Sequence, residues 1–209
     1  MLSRKIRERL RCMSIALAAA ATLGLTGCAT HYVDGSTKEV SAEQFRKPDA
    51  PQEVQVVFEF QTKGVPNAAA TQQLKTQVLQ KVKDSGLFTA VSEQPVPQGA
   101  MLSLKLNNVV LTDDAFSKGF ATGLTFGLAG SQVSDGYICT VSYLGNGQAA
   151  PITKSARHAI HTTLGAAKVP GNAEKAATIQ EAVTKMTSQV VSTALNDLSQ
   201  DPAFASKRN

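Results

Sequence analysis

Glu53-Val54-Gln55-Val56-Val57-Phe58-Glu59-Phe60 places an apolar side chain at every second position, with Val54, Val56, Phe58 and Phe60 on one face. A period of two is that of a half-buried strand. Val65-Pro66 ends it, and Asn67 is of a type that caps helix N-termini. From Ala68 to Ser85 the apolar positions Leu74, Val78, Leu79 and Val82 follow helical spacing, while Gln72, Gln73, Lys75, Lys81 and Lys83 occupy other faces. This is an amphipathic helix, and Gly86 stands where a left-handed C-cap is needed. A half-buried strand feeding an amphipathic helix predicts a domain of two layers, each covering the other's apolar face.

Downstream, Leu87-Phe88 re-enter the core before a short strand from Thr89 to Glu93. Ala100 to Thr112 sets Leu102, Leu104 and Leu106 against Ser103, Lys105 and Asn107, then resumes with Val109 and Leu111 after an expected bulge at Asn107-Asn108. Val133 to Leu144 carries a Tyr137/Cys139/Val141/Tyr143 face, Gly145-Asn146-Gly147 supplies turn chemistry, and Ala149 to Thr163 returns. After Pro170-Gly171 and a cap at Asn172, the span Ala173 to Leu198 reads as a helix. Its stripe is Ala176, Ile179, Val183, Met186, Val190, Ala194 and Leu198, with Met186 as core filler. The predicted class is α+β: a two-layer domain over 53–200, its mostly antiparallel sheet of about five strands covered by two helices, with a flexible polar tail at 201–209.

Upstream, 28–52 is mostly polar, holds Pro48 and Pro51, and reads as a tether. Before it, Arg4, Lys5, Arg7, Arg9 and Arg11 precede an apolar run from Met13 to Leu25. That is the order of a secretory signal, assigned to 1–27, and the run is shorter than the roughly 20 residues of a transmembrane helix. Leu25-Thr26-Gly27 directly before Cys28 resembles the lipobox of bacterial lipoproteins. The resemblance implies that Cys28 receives a diacylglycerol thioether, that the leader is removed, and that the freed amine is acylated. No other cofactor is expected. Ala29 stands where an aspartate would imply inner-membrane retention, so the resemblance places the protein in the inner leaflet of the outer membrane, with its domain in the periplasm.

The formal charge of +5 belongs mainly to the leader, which holds five Lys/Arg and only Glu8; the remainder carries 16 basic and 15 acidic residues. Nucleic-acid binding is rejected on that ground. Once Cys12 leaves with the leader and Cys28 is acylated, Cys139 stands alone, a buried and inert thiol by its position in a strand face.

Between the third and fourth strands, Ala115, Gly119, Gly123, Gly127 and Ser131 recur every fourth residue among Phe116, Phe120, Leu124, Phe126 and Leu128. As a helix they would form a small-residue ridge suited to close backbone approach in lipid. Gly119 to Gly130 would then extend only about 18 Å, short of the roughly 30 Å hydrocarbon core. Two readings stay open: a connection whose backbone needs glycine, or an element touching membrane or partner.

No catalytic constellation is legible. His31 falls in the tether, while His158 and His161, three apart on a strand, point to opposite faces and cannot share a metal. Asp113-Asp114 follow a strand, where adjacent carboxylates more often stop the strand than serve acid/base work. Neither a P-loop nor a dinucleotide fingerprint occurs in its structural context.

With the lipobox, the Ser85-Gly86-Leu87-Phe88 junction and the Gly123-Leu124-Thr125-Phe126-Gly127-Leu128 run ahead of Asp135-Gly136-Tyr137, the chain resembles small envelope lipoproteins of Gram-negative bacteria. Its element order is similar to lipoproteins that assist curli secretion, exopolysaccharide export or lipopolysaccharide assembly. The resemblance implies an anchored, non-enzymatic binding, assembly or transport-accessory module, in contact with the bilayer and with an envelope protein or further copies of itself. The alternative is a periplasmic enzyme or small-ligand or lipid carrier with a cleft between sheet and helices.

Overall fold

The computed structural model describes residues 29–111, 130–165, 167–169 and 171–205. Among them are eight strands: β1 (Ala29–Val33), β2 (Glu53–Thr62), β3 (Val65–Pro66), β4 (Ala90–Ser92), β5 (Ala100–Val110), β6 (Gly130–Leu144), β7 (Ile152–Gly165) and β8 (Glu174–Ala176). The helices are α1 (Ala68–Asp84), α2 (Ile179–Ser199) and the single turn α3 (Pro202–Ala205). The strands make one sheet in the order β3-β2-β5-β6-β7-β1-β8, with β4 beside β2. The α+β class is as expected, but the sheet has eight strands rather than about five. β3 and β8 span two and three residues, too few to show a period, and β1 lies in the stretch read as a tether.

The sheet is mixed. β5 pairs antiparallel with β6, as does β6 with β7, whereas β2 runs parallel to both β4 and β5. Helix α1 carries the chain back across the sheet between β2 and β5, which is the connection parallel neighbours require. The alternation read from the sequence sets the inner face: Val54, Val56, Leu102, Leu104, Leu106, Cys139 and Val141 are buried in one core with Val78 and Val82 of α1 and Met186, Val190 and Leu195 of α2. The expected bulge is absent, since Asn107↔Ile138, Asn108↔Tyr137 and Val109↔Gly136 continue one register. Val109 and Leu111 instead belong to the opposite face, where Leu111 packs with Ile138 and Ala159 in a second, smaller cluster.

Asn67 caps α1 by accepting the Ala70 N–H at 3.0 Å, and Gly86 closes it at φ +61°. Helix α2 starts six residues later than read, because Thr178 and not Asn172 is its cap. The Thr178 hydroxyl accepts the Glu181 N–H at 3.1 Å while the Glu181 carboxylate accepts the Ala177 N–H at 2.7 Å. The freed residues form β8. Gln77 of α1 donates to the Thr184 carbonyl at 2.7 Å and to the Ser188 hydroxyl at 3.0 Å, so the helices lie side by side and run the same way.

Residues 29–52 form part of the domain rather than a tether. After β1 the chain crosses the helices as a strap whose backbone N–H groups find serines of α2, Val40 to Ser192 at 3.0 Å and Arg46 to Ser199 at 3.2 Å. Phe45 anchors it in the core. The start of the expected flexible tail is also fixed, with Phe204 of α3 set edge-on to Tyr143 at 4.9 Å between ring centres. Residues 206–209 lie outside the described residues.

The turn after β1 has no room for a side chain. A Cβ on Gly35 would stand 1.9 Å from the Asn172 carbonyl oxygen, a backbone atom held by the lead-in to β8. Gly35→Ala should therefore destabilise the domain by about 1–3 kcal/mol, read as a lower urea midpoint with an unchanged slope; an unaltered midpoint would contradict this close approach.

Candidate functional site

Several features of the fold meet at one end of the sheet. Ala29, the first residue of β1, pairs with Leu164 near the end of β7, and Gly130 at the start of β6 pairs with Gly165. β2 and β5 run towards this end but stop short of it, since Thr62 pairs with Asn108 and Val110 with Asp135, while β6 and β7 continue to Gly130 and Gly165. Both long helices begin here: α1 follows directly on the β2–β3 hairpin, and α2 follows β8, whose Ala176 pairs with His31 of β1. The lipobox residues Leu25, Thr26, Gly27 and Cys28 lie outside the described residues, but the chain leaves towards them from Ala29 at this end. Phe116, Gly119, Phe120, Gly123, Leu124, Phe126, Gly127 and Leu128 lie outside too, as do Asp113 and Asp114. Leu111, which precedes that stretch, packs beside Gly136, and Gly130, which follows it, pairs with Gly165.

β1 is fastened at its other end, just after Val33, by a buried polar cluster on the helix-free face. The Asp34 carboxylate accepts from His161 Nε2 at 3.3 Å. Its other oxygen takes the Ser36 N–H at 2.7 Å and the Ser36 hydroxyl. His161 Nδ1 meets the Ser134 hydroxyl at 2.7 Å, with Gln132 Nε2 at 3.4 Å. Burial raises the Asp34 pKa, but the hydrogen bonds from His161 and Ser36 together with the imidazole's charge outweigh it and hold the carboxyl at about 2. An ionised Asp34 only accepts, so His161 is the donor in this contact, through Nε2.

Serine, imidazole and carboxylate are thus connected in the order used by hydrolytic triads. The imidazole is wholly enclosed, however, and both oxygens of Asp34 are engaged within the cluster. What the geometry does is tie β1 to β6 and β7. Sequence reading missed this cluster because Asp34 sat in the presumed tether. Its signal was Asp34-Gly35-Ser36, a triplet typical of an Asx turn.

His158 occupies the opposite face, as its spacing from His161 predicts. Its Nε2 bonds the side-chain amide oxygen (Oε1) of Gln189 on α2 at 2.8 Å and its Nδ1 accepts the Ala159 N–H at 2.8 Å. Burial lowers its pKa, so it serves as a neutral link between sheet and helix. Cys139 is fully buried and its thiol is pushed up to about 12 by desolvation, in keeping with an inert side chain. Among the described residues no group of three or more His, Cys, Asp or Glu is arranged to hold a metal, and no helix is long and apolar enough to cross a membrane.

A cleft of about 240 Å³ opens between sheet and helices, lined by Phe60, Leu74, Tyr137, Ile179 and Val183 with Gln73 and Gln180 at its polar side. Gln73 and Leu74 belong to the second turn of α1 and Ile179, Gln180 and Val183 to the start of α2, while Phe60 is near the end of β2 and Tyr137 midway along β6. His158 does not line it.

No family model matches this chain and no curated protein does. Among solved structures it is similar to a neuraminyllactose-binding hemagglutinin homolog from Helicobacter pylori, at 11% identity and a TM-score of 0.41, covering 77% of this chain and 91% of that one. It is also similar to a PelC dodecamer from Paraburkholderia phytofirmans, at 10% identity and a TM-score of 0.33, covering 87% and 100% of the two chains.

The Asp34 cluster makes a pH prediction. The folded-state value near 2 lies below the ordinary aspartate value of about 3.9, so the group stabilises the fold by about 2 kcal/mol above pH ~4. That contribution is lost as the pH falls from about 4 through about 2. Asp34→Asn should be less stable than the parent by this amount at pH 6, with the gap closing near pH 2 in guanidinium melts; a gap constant across that range would show that the carboxylate's charge is not involved.

Proposed function

We propose that this protein is an outer-membrane lipoprotein, acylated at Cys28 and facing the periplasm, that acts as a non-enzymatic binding or assembly module of the cell envelope. The observation that carries this reading is the charged-then-apolar order ending in Leu25-Thr26-Gly27-Cys28, with Ala29, the next residue, already paired into the sheet opposite Leu164. The buried His158 and the inert Cys139 support a binding rather than a catalytic role, since both are committed to holding the core.

Mass spectrometry of protein extracted from envelopes should find residue 28 as the first residue, carrying a diacylglycerol and an amide-linked acyl chain. Cys28→Ser should shift the protein from the outer-membrane fraction to an uncleaved or soluble form. An unmodified Cys28 in the native protein would refute the anchor. Crosslinking in intact envelopes should return either a specific protein neighbour or a homo-oligomer, and recovery of monomer alone would refute the assembly role.

The cleft favours a second reading, a carrier of a small apolar or amphipathic molecule. Phe60, Leu74, Ile179 and Val183 give it apolar walls and Tyr137 with two glutamines gives it polar contacts, the usual composition of a ligand pocket. Ala70→Trp places an indole in this space. It should abolish binding of a naphthalene-sulfonate probe with little change in thermal midpoint, whereas unchanged probe binding would show that the cleft is not the binding site.

A further inference from the structure

From the geometry of the sheet end we infer that the domain does not hang from its lipid on a leash but rests on the bilayer, with the end formed by Ala29, Val133 and Leu164 seated at the headgroup–acyl boundary. This deepens the proposed function and rests on acylation of Cys28. Successive Cα atoms are about 3.8 Å apart, and Ala29 is already hydrogen-bonded into the sheet opposite Leu164. The anchor residue therefore has no length of free chain on which to hold the sheet away from the lipid.

The residues brought to that boundary suit it. Val133 is 57% exposed and Leu164 is 45% exposed, two of the few large apolar side chains on the surface of the described residues. Val133 faces Thr162 across the β6–β7 ladder, which makes Leu164, two positions on, its diagonal neighbour at about 7 Å. Strand parity puts both on the face that, further along, packs against the helices. Leu164 shares a register position with Ala29, so this apolar pair is continuous with the point from which the acyl chains leave. Exposed apolar surface at an acylated strand end is favourable when it lies within about 5–10 Å of the headgroup boundary, as in monotopic proteins. The occupant is accordingly a phospholipid monolayer.

The chain contains no tryptophan, so single Trp variants report on single positions. Full-length, acylated Val133→Trp and Leu164→Trp would be reconstituted in vesicles of phosphatidylethanolamine and phosphatidylglycerol (3:1) whose acyl chains carry bromine. Met101→Trp serves as the control: Met101 is 41% exposed and pairs with Leu144 at the opposite end of the sheet. Fluorescence at positions 133 and 164 should be quenched several-fold more than at 101. Equal quenching at all three positions, in protein that floats with the vesicles and carries a modified Cys28, would overturn the seating while leaving the anchor intact. A blue shift at 133 and 164 without quenching would overturn it in favour of a protein covering that end. Protein that fails to float and has an unmodified Cys28 would bring down the anchor itself, and this inference with it.

Discussion

An interior strand must satisfy backbone groups along both of its edges, and β1 does so with partners that lie far along the chain. One edge pairs with β7 and the other with β8, so the register Val33↔Ile160 and Val33↔Glu174 fixes three elements at once. Without β1, β7 would present an open edge, β8 would have no strand to pair with, and the lead-in to α2 would lose its support. The Asp34–His161–Ser134 chain of hydrogen bonds secures the same junction from the helix-free face. Both ionisable members are buried, which is tolerable because each polar atom has a partner. The strap from Ser36 to Gln52 then becomes possible, because β1 delivers it to the edge of α2.

The two faces of the sheet divide the work. On the inner face β2, β5, β6 and β7 contribute alternate apolar residues to a continuous core under α1 and α2. On the outer face the far half is a polar ladder, with Thr140 bonded to Ser155 at 3.0 Å and Thr153 to Ser142 at 3.3 Å. Towards the Ala29 end the same face turns inward in character, through Ala159, Leu111 and the buried His161. Gly136 allows this change: a Cβ there would approach Leu111 Cδ2 to 2.5 Å, so only a bare backbone lets Leu111 lie flat across the strand. The polarity of the sheet surface therefore changes along the strands as well as across them.

Much of this was legible from residue order. Period two in β2, in β5 as far as Leu106, in β6 and in β7, the α1 stripe and the α2 stripe from Met186 onward match the inner face, because burial on one side leaves a repeating mark; Leu111 lies on the opposite face, Ala176 is in β8 and Ile179 is exposed. Asn67 and Gly86 were read as caps because their chemistry is local. The strand order was not legible, since whether β5 lies parallel or antiparallel to β2 depends on how α1 crosses and not on any residue in either strand. β1 was hidden because Ala29-Thr30-His31-Tyr32-Val33 is held by two neighbours and a buried polar turn, none of which imposes alternation. Asn172 and Thr178 are both cap types, and only the three-residue pairing of β8 with β1 decides between them. The Asp34 cluster joins residues about 130 positions apart, a separation that local pattern cannot report.

That separation also sets a temporal order. Ala29 is among the first residues of the domain to leave a ribosome, yet its partners in β7 and β8 follow only after most of the chain has emerged. Pairings of such long range close late, because the entropy of the intervening loop must be overcome before any contact rewards it. The N-terminal segment thus stays unpaired until most of the chain has been made, and its capture between β7 and β8 is a final step that closes the sheet.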